Sequence, residues 1–409
     1  MTNQLPARLA DSLYDDMWLP DETIEVRSKV RNFADTVIRP MAHKLNNTPE
    51  SLEAFPAELY KKMGDAGLLA IPFAKEYGGA GLEYPTLASM VLLEEIAYVS
   101  SGVAATLIDV PLILFGNLLK NGSEAVKERL FPALFRGDIV GAFGTSEPDA
   151  STDLSVKALK TEATKVDGGY RVTGQKRFIT NAPVADFMFV LCKMDNAMTL
   201  LLVDMKAEGV RAGDPDKKMG NLCQLTADVY FENVFIPQEN LSGVEGKGLK
   251  AALSALNLGR VGIGALGVGL AQSAFDYAAH YMNQRKIFGK NISQFQHWQF
   301  KWADYAIQLE NARNLYVKTA LMNDKNRGNV AEMCSMTKVV GSSLPCDLAR
   351  DAIQACGGYG FVKEVAATGE QYPLEAIYRD SKVGEIYEGA NEVQRMVIAR
   401  SIFGRDIVG

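Results

Sequence analysis

Glu388 lies in Ile386-Tyr387-Glu388-Gly389-Ala390, between two bulky side chains and a glycine. Such a setting predicts apolar, close-packed surroundings, in which a carboxylate's pKa rises toward neutrality and suits it to act as a general base. Read alone, the segment favours an ordinary surface glutamate. Arg285 and Lys286 precede Phe288 and Gly289, with Gln294-Phe295-Gln296 just beyond. Arginine's planar fork matches two phosphate oxygens, so the pattern suits a diphosphate, although a solvated helix end fits it too. Ala142 to Asp153 is dense in hydroxyls and backbone donors able to hold the edge of a polar ring, or simply to make a surface turn. Phe178-Ile179-Thr180-Asn181 ends a strand pattern with an aromatic and a hydroxyl.

One further match has a mechanical objection. Gly262-Ile263-Gly264-Ala265-Leu266-Gly267 fits G-x-G-x-x-G. The dinucleotide-binding turn needs a strand before it, and the sequence on both sides here is helical. Each glycine inside a helix costs about 1 kcal/mol relative to alanine. Their clustering predicts close approach of a neighbouring helix or a ligand.

Three stretches of different periodicity must position these residues. From about Thr23 to Gly137 the pattern is helical, with Val26, Val30, Phe33 and Val37 on one face and further helices near Glu58 to Ala66 and Leu87 to Tyr98. Beyond Gly141 come short strand patterns, around Tyr170 to Gly174, Phe187 to Leu191, Leu200 to Val203 and Val229 to Phe231. Past Gly248 long helices return. There Phe295, Trp298, Trp302, Tyr305, Leu309, Ala312 and Tyr316 recur in steps of three and four, a seam for core packing. The reading is an α+β fold with an N-terminal all-α domain (1–140), a central antiparallel β-sheet or barrel domain (141–246) and a C-terminal helical domain (247–409).

Composition excludes several classes. A net charge of −6 gives no field for a polyanion, so nucleic-acid binding is not expected. The three histidines have no ligand spacing, and no metal is expected. Five cysteines without C-x-x-C suit a reducing compartment. Asp11, Asp15, Asp16, Asp21 and Glu22 fit neither a secretory nor a mitochondrial leader, so the expected location is cytoplasmic. No apolar run is read as approaching the ~20 residues of a membrane helix, and no span is expected.

Taken in order, the chemistry-bearing segments resemble the acyl-CoA dehydrogenase family from about Phe33 to Arg405. Ser146-Glu147-Pro148 through Asp153 resembles its T-E-P-x-A-G-S-D signature, and Arg285 to Gly289 its R-x-x-F-G. Gln354 to Gly360 resembles Q-x-x-G-G-x-G, and Ile386 to Gly389 is similar to I-Y-E-G-T. The resemblance implies that the C-terminal domain is a four-helix bundle and that FAD lies between it and the β domain. It also implies a homodimer or homotetramer whose second subunit completes the cofactor site.

By this resemblance Phe143, Ser146 and Thr180 contact the flavin ring and Phe178 covers one face. Arg285, Phe288, Gln296, Gln354, Gly357 and Gly358 hold the adenosine diphosphate half, and Ala390 and Glu392 follow the cofactor beside the base. Thr152, bordering both cofactor and substrate, joins Asn257, Arg260 and Gly389 near the acyl-CoA. Glu388 is then the base that removes the C2 proton, while hydride leaves C3 for flavin N5. Electrons pass to an electron-transfer flavoprotein. Some relatives carry their base just before the arginine matched by Arg260; here that residue is Gly259.

The sequence departs from the family pattern at several places. Ser146 stands for threonine, Ser151 and Thr152 for glycine and serine, Phe178 for tryptophan, Ala390 for threonine, Glu392 for glutamine and Asn257 for aspartate. An extra stretch, Val362 to Glu370, lies close in sequence to the base. Acyl-carrier-protein thioesters, enoyl reduction or oxidase chemistry would all retain Glu388, whereas a DNA-binding relative would need a basic groove.

Overall fold

A computed structural model describes residues 8–328 and 330–407, so the outer ends of the expected first and third domains lie outside the described residues. The N-terminal region is helical. Its main members are α1 (Asp21–Phe33), α2 (Pro85–Ala97), the composite helix α3 (Ser101–Leu119) and α4 (Glu124–Phe135). Residues Ala105–Gly116 of α3 wind as a π-helix around Pro111. Proline has no N–H to give the α-helical ladder, so a wider turn is a natural accommodation.

The central sheet has seven strands: β1 (Gly141–Gly144), β2 (Glu162–Val166), β3 (Gly169–Thr180), β4 (Phe187–Met194), β5 (Ala197–Asp204), β6 (Val210–Ala212) and β7 (Thr226–Pro237). Their order is β1-β4-β2-β3-β7-β6, with β5 on the other side of β4. The sheet is mixed, which corrects the antiparallel expectation. β1 runs parallel to β4, with Phe143 opposite Phe189. The β2–β3 hairpin intervenes between them, and the chain re-enters β4 from the end at which it entered β1. Strand periodicity reports that a segment is a strand, not the direction of its neighbour.

The C-terminal region is built from α5 (Gly248–Gln284), α6 (Gln296–Asp324), α7 (Val330–Cys356), α8 (Leu374–Ser381) and α9 (Asn391–Phe403). The glycines of α5 mark close helix crossings, as their clustering predicts. A Cβ on Gly267 would lie 2.0 Å from the Gly341 carbonyl of α7, and one on Gly269 would lie 2.2 Å from the Glu94 carbonyl of α2. Trp302, Tyr305, Leu309, Ala312 and Tyr316 are buried, as a packing seam requires. Trp298 is half-buried and lines a cavity instead. Glu94 and Glu95 are structural: Glu94 pairs with Arg313 at 2.8 Å and Glu95 with Arg31 at 2.9 Å.

Two helices correct the reading of apolar runs. Ser101–Leu119 and Gly248–Gln284 are long and apolar enough to cross a membrane, yet 94% and 72% of their most apolar windows are buried within the protein. Interior helices of a large domain meet the same compositional test.

Candidate active site

Glu388 occupies the loop between α8 and α9 with φ 55°, followed by Gly389 at φ 88°. A glutamate in this left-handed region is uncommon, and surrounding contacts must hold it there. Arg260 Nε donates to the Glu388 carbonyl at 3.1 Å, while its other arm donates to Asn257 Oδ1 at 2.7 Å. Gln394 Nε2 donates to the Gly389 carbonyl at 3.0 Å, and Ser335 Oγ donates to Gln394 Oε1 at 2.9 Å. The amides of Ile386 and Tyr387 both donate to the Val383 carbonyl. Among the described residues, the Glu388 amide has no backbone acceptor.

Thus fixed, the loop turns the side chain inward. Glu388 Oε2 is buried without a hydrogen-bond partner among the described residues. It rests over Gly259 of α5, where a Cβ would come within 2.8 Å of it. Burial pushes the carboxyl up to about 7, against the opposing pull of Arg260 and Lys338. Lys338 is itself pushed down to about 8 by burial and donates to Asn391 Oδ1 at 2.8 Å. The result is a buried carboxyl group poised to exchange a proton near neutral pH.

A second group of residues meets where β1 leaves the sheet. Glu147 accepts from Lys176 at 2.9 Å in a buried ion pair and also takes the amides of Lys160 and Thr161. Lys176 Nζ donates to the Thr145 carbonyl, and the Arg177 amide donates to the Ser146 carbonyl at 2.9 Å. These bonds clamp the turn carrying Ser146 to the end of β3 carrying Phe178 and Thr180. A register shift between Lys176 and Ile179 takes Phe178 out of the β3–β7 pairing at φ 60°, leaving it 61% exposed. Phe143 is buried on β1, Ser146 and Thr180 are half-buried, and Thr152 is exposed on the following turn.

A third group lines a cavity of about 600 Å³ among Arg285, Ile287, Trp298, Gln354, Gly357 and Gly358. A Cβ on Gly357 or Gly358 would meet nothing within 4 Å, so this backbone is open to a ligand. Phe288 and Gln296 are not among the residues lining it. Residues 286–291 form a two-stranded hairpin, with Phe288 (φ 48°) and Gly289 (φ 76°) at its tip. Phe288 is 94% exposed there, and Gln296 is exposed at the start of α6. Ala390 precedes α9, and Glu392 is exposed on its first turn.

Comparison with known proteins identifies the family. Residues 20–138 match the N-terminal domain of acyl-CoA dehydrogenase, 142–234 its middle domain and 246–403 its C-terminal domain. The chain belongs to the acyl-CoA dehydrogenase family. It is 36% identical to an acyl-CoA dehydrogenase of Bacillus subtilis, covering 95% of this chain and 100% of the relative. It is 34% identical to the caffeyl-CoA reductase-Etf complex subunit CarC of Acetobacterium woodii, covering 94% and 98%. Butyryl-CoA dehydrogenase from Megasphaera elsdenii has the same fold at a TM-score of 0.86 and 32% identity, covering 94% and 98%. As a member of this family the protein is an oxidoreductase.

The residues present fit the flavin cofactor of an acyl-CoA dehydrogenase. Arg285, the open glycines and Gln354 border a cavity suited to a diphosphate, while Ser146 and Thr180 offer hydroxyls at the clamped turn. Two features escaped the sequence reading. The Glu147–Lys176 pair gives the signature's glutamate a structural purpose, and Asp109 is a buried acid within α3 that no motif marks. The extra stretch forms a hairpin, Glu364–Val365 with Glu370–Gln371, beside the cavity of Arg285 and Gln354.

Proposed function

We propose that the protein is an FAD-dependent acyl-CoA dehydrogenase that forms trans-2-enoyl thioesters, with Glu388 as the base at C2. The observation that carries this reading is a buried Glu388 carboxylate whose Oε2 has no hydrogen-bond partner among the described residues and whose pKa is raised to about 7. An acyl-CoA binds with its C2 hydrogen against this carboxylate. The free Glu388 amide is placed to donate to the thioester carbonyl, which makes the C2 proton more acidic in a dry site. Arg260 and Gln394 hold the loop, so that the carboxylate and the amide keep their relation while the proton moves. Phe143, Ser146, Phe178 and Thr180 border the proposed flavin ring, and Arg285, Gln354, Gly357 and Gly358 the diphosphate. Bound FAD would supply the acceptor for the hydride leaving C3. Asn257, Arg260, Gly389 and Thr152 are assigned to the acyl-CoA side.

An electron-transfer flavoprotein is the proposed redox partner, supported by the Etf complex named for the Acetobacterium relative. That relative is a reductase, and a base of pKa about 7 also suits the reverse reaction, because the protonated carboxyl can return its proton to C2. We further propose domain limits near residues 140 and 246, a homodimer or homotetramer in which a second copy contributes Phe288 and Gln296 to the cofactor site, and a cytoplasmic location supported by five free cysteines.

The test is Glu388→Gln in FAD-loaded protein, mixed anaerobically with acyl-CoA while the flavin absorbance near roughly 450 nm is followed. Bleaching should slow by several orders of magnitude with FAD still bound. Near-normal bleaching would remove Glu388 from the mechanism.

A further inference from the structure

Asp109 lies within α3, only 1% exposed, and its Oδ1 has no hydrogen-bond partner among the described residues. It faces α5 one helical turn beyond the position that Glu388 covers. A Cβ on Gly262 would come within 2.8 Å of Asp109 Oδ1 and 3.0 Å of Leu93, just as a Cβ on Gly259 would meet Glu388 Oε2 and Leu114. The Tyr387 hydroxyl is a second buried polar group without a partner. Burial first, and then the charges of Asp109 and Glu388, push the Tyr387 hydroxyl up. Along α5, Leu253 is 40% exposed and Asn257 half-buried, whereas Gly259 and Gly262 are buried. A thioester entering beside Asn257 with C2 at Glu388 therefore runs its tail toward Asp109.

We propose that Asp109 determines substrate specificity: the acyl pocket ends on its carboxyl group, which selects a thioester whose chain carries a neutral hydroxyl or carbonyl about four carbons beyond C2. This rests on Glu388 being the C2 base. The span follows from geometry, since three residues of helix rise about 4.5 Å and an extended chain advances ~1.3 Å per carbon. A plain alkyl tail would press against Asp109 and Tyr387 and leave both unsatisfied, and a site built around buried polar groups discriminates against ligands that cannot pair them. Burial and the nearby Glu388 both push the Asp109 carboxyl well up, toward the neutral form that can donate as well as accept. An anionic tail would meet two acids. A cationic tail would join Arg260 and Lys338, which already bring positive charge to Glu388.

The experiment uses FAD-loaded wild type, Asp109→Leu and Asp109→Asn, each checked for flavin content and circular dichroism. Hexanoyl-CoA, 6-hydroxyhexanoyl-CoA and a thioester of matched length ending in trimethylammonium are compared by flavin bleaching. Their affinities for the Glu388→Gln protein, with and without Asp109→Leu, are compared by calorimetry. Wild type should favour the hydroxyl thioester over hexanoyl-CoA by at least about 10-fold in kcat/KM, and the Glu388→Gln protein should do so in affinity. Asp109→Leu should reverse that order and Asp109→Asn should keep part of it. A ratio near one in wild type, a ratio unmoved by Asp109→Leu, or a preference for the trimethylammonium tail overturns the proposal while leaving the dehydrogenase reading intact. No bleaching by any of the three defeats both.

Discussion

Glu388 carries a burial cost that an exposed glutamate would not. Its folded pKa of about 7 lies above the ordinary 4.5. Below pH 4.5 the proton is on in both folded and unfolded chains, and the group is neutral to stability. Between 4.5 and about 7 the unfolded chain gives up its proton while the folded chain keeps it, so stability falls as pH rises. Above 7 the whole penalty is present, up to roughly 3 kcal/mol. The Glu388→Gln protein should therefore melt at a higher temperature than wild type at pH 8, with the gap closing toward pH 5. A constant gap across that range, read by differential scanning calorimetry, would contradict a raised pKa. The sequence showed the bulky neighbours of Glu388 but not its left-handed backbone, because the loop is held by Arg260 from far along the chain and by Gln394 folding back from the next helix. Asp109 was silent for a related reason: an acid in an apolar run looks like an interruption until the helix facing it is known to be bare glycine.

At the scale of elements, α5 is thin where others must come near. Its glycines resemble a nucleotide-binding fingerprint in one dimension, and the flanking helical pattern was enough to reject that. What they approach was not legible, since Gly341 and Glu94 lie far away in the chain. Gly267→Ala would drive a methyl toward the Gly341 carbonyl, 2.0 Å from the ideal Cβ position. Backbone cannot yield as a flexible side chain can, so α5 and α7 must separate, at a cost of about 1–3 kcal/mol. A lowered thermal midpoint and reduced protection of α5 amides from hydrogen exchange are expected; an unchanged midpoint would mean that the crossing is looser than described. The sheet carries the opposite lesson. Its strands were visible from apolar runs between turns, while the parallel pairing of β1 with β4 depends on chain re-entry, which no local pattern encodes.

For the molecule as a whole, the α, β, α order was legible because periodicity changes twice along the chain. The assembly is less so, and Phe288 offers the means to test it. A phenylalanine 94% exposed at the tip of a two-residue turn with positive φ is poorly placed in an isolated chain. Phe288→Ser should weaken association and lower FAD content together, as read by sedimentation velocity and by the flavin-to-protein absorbance ratio. A variant that keeps both would separate this tip from the interface. The burial of α3 also has a consequence during synthesis. Its covering helix α5 ends at Gln284, far downstream of Leu119. At about 5–20 residues per second, a stretch as apolar as a membrane anchor emerges from the ribosome roughly 10–30 s before the helix that shelters it is complete. Over that interval the nascent chain depends on chaperones, and any premature stop before α5 releases a fragment bearing a bare, sticky helix.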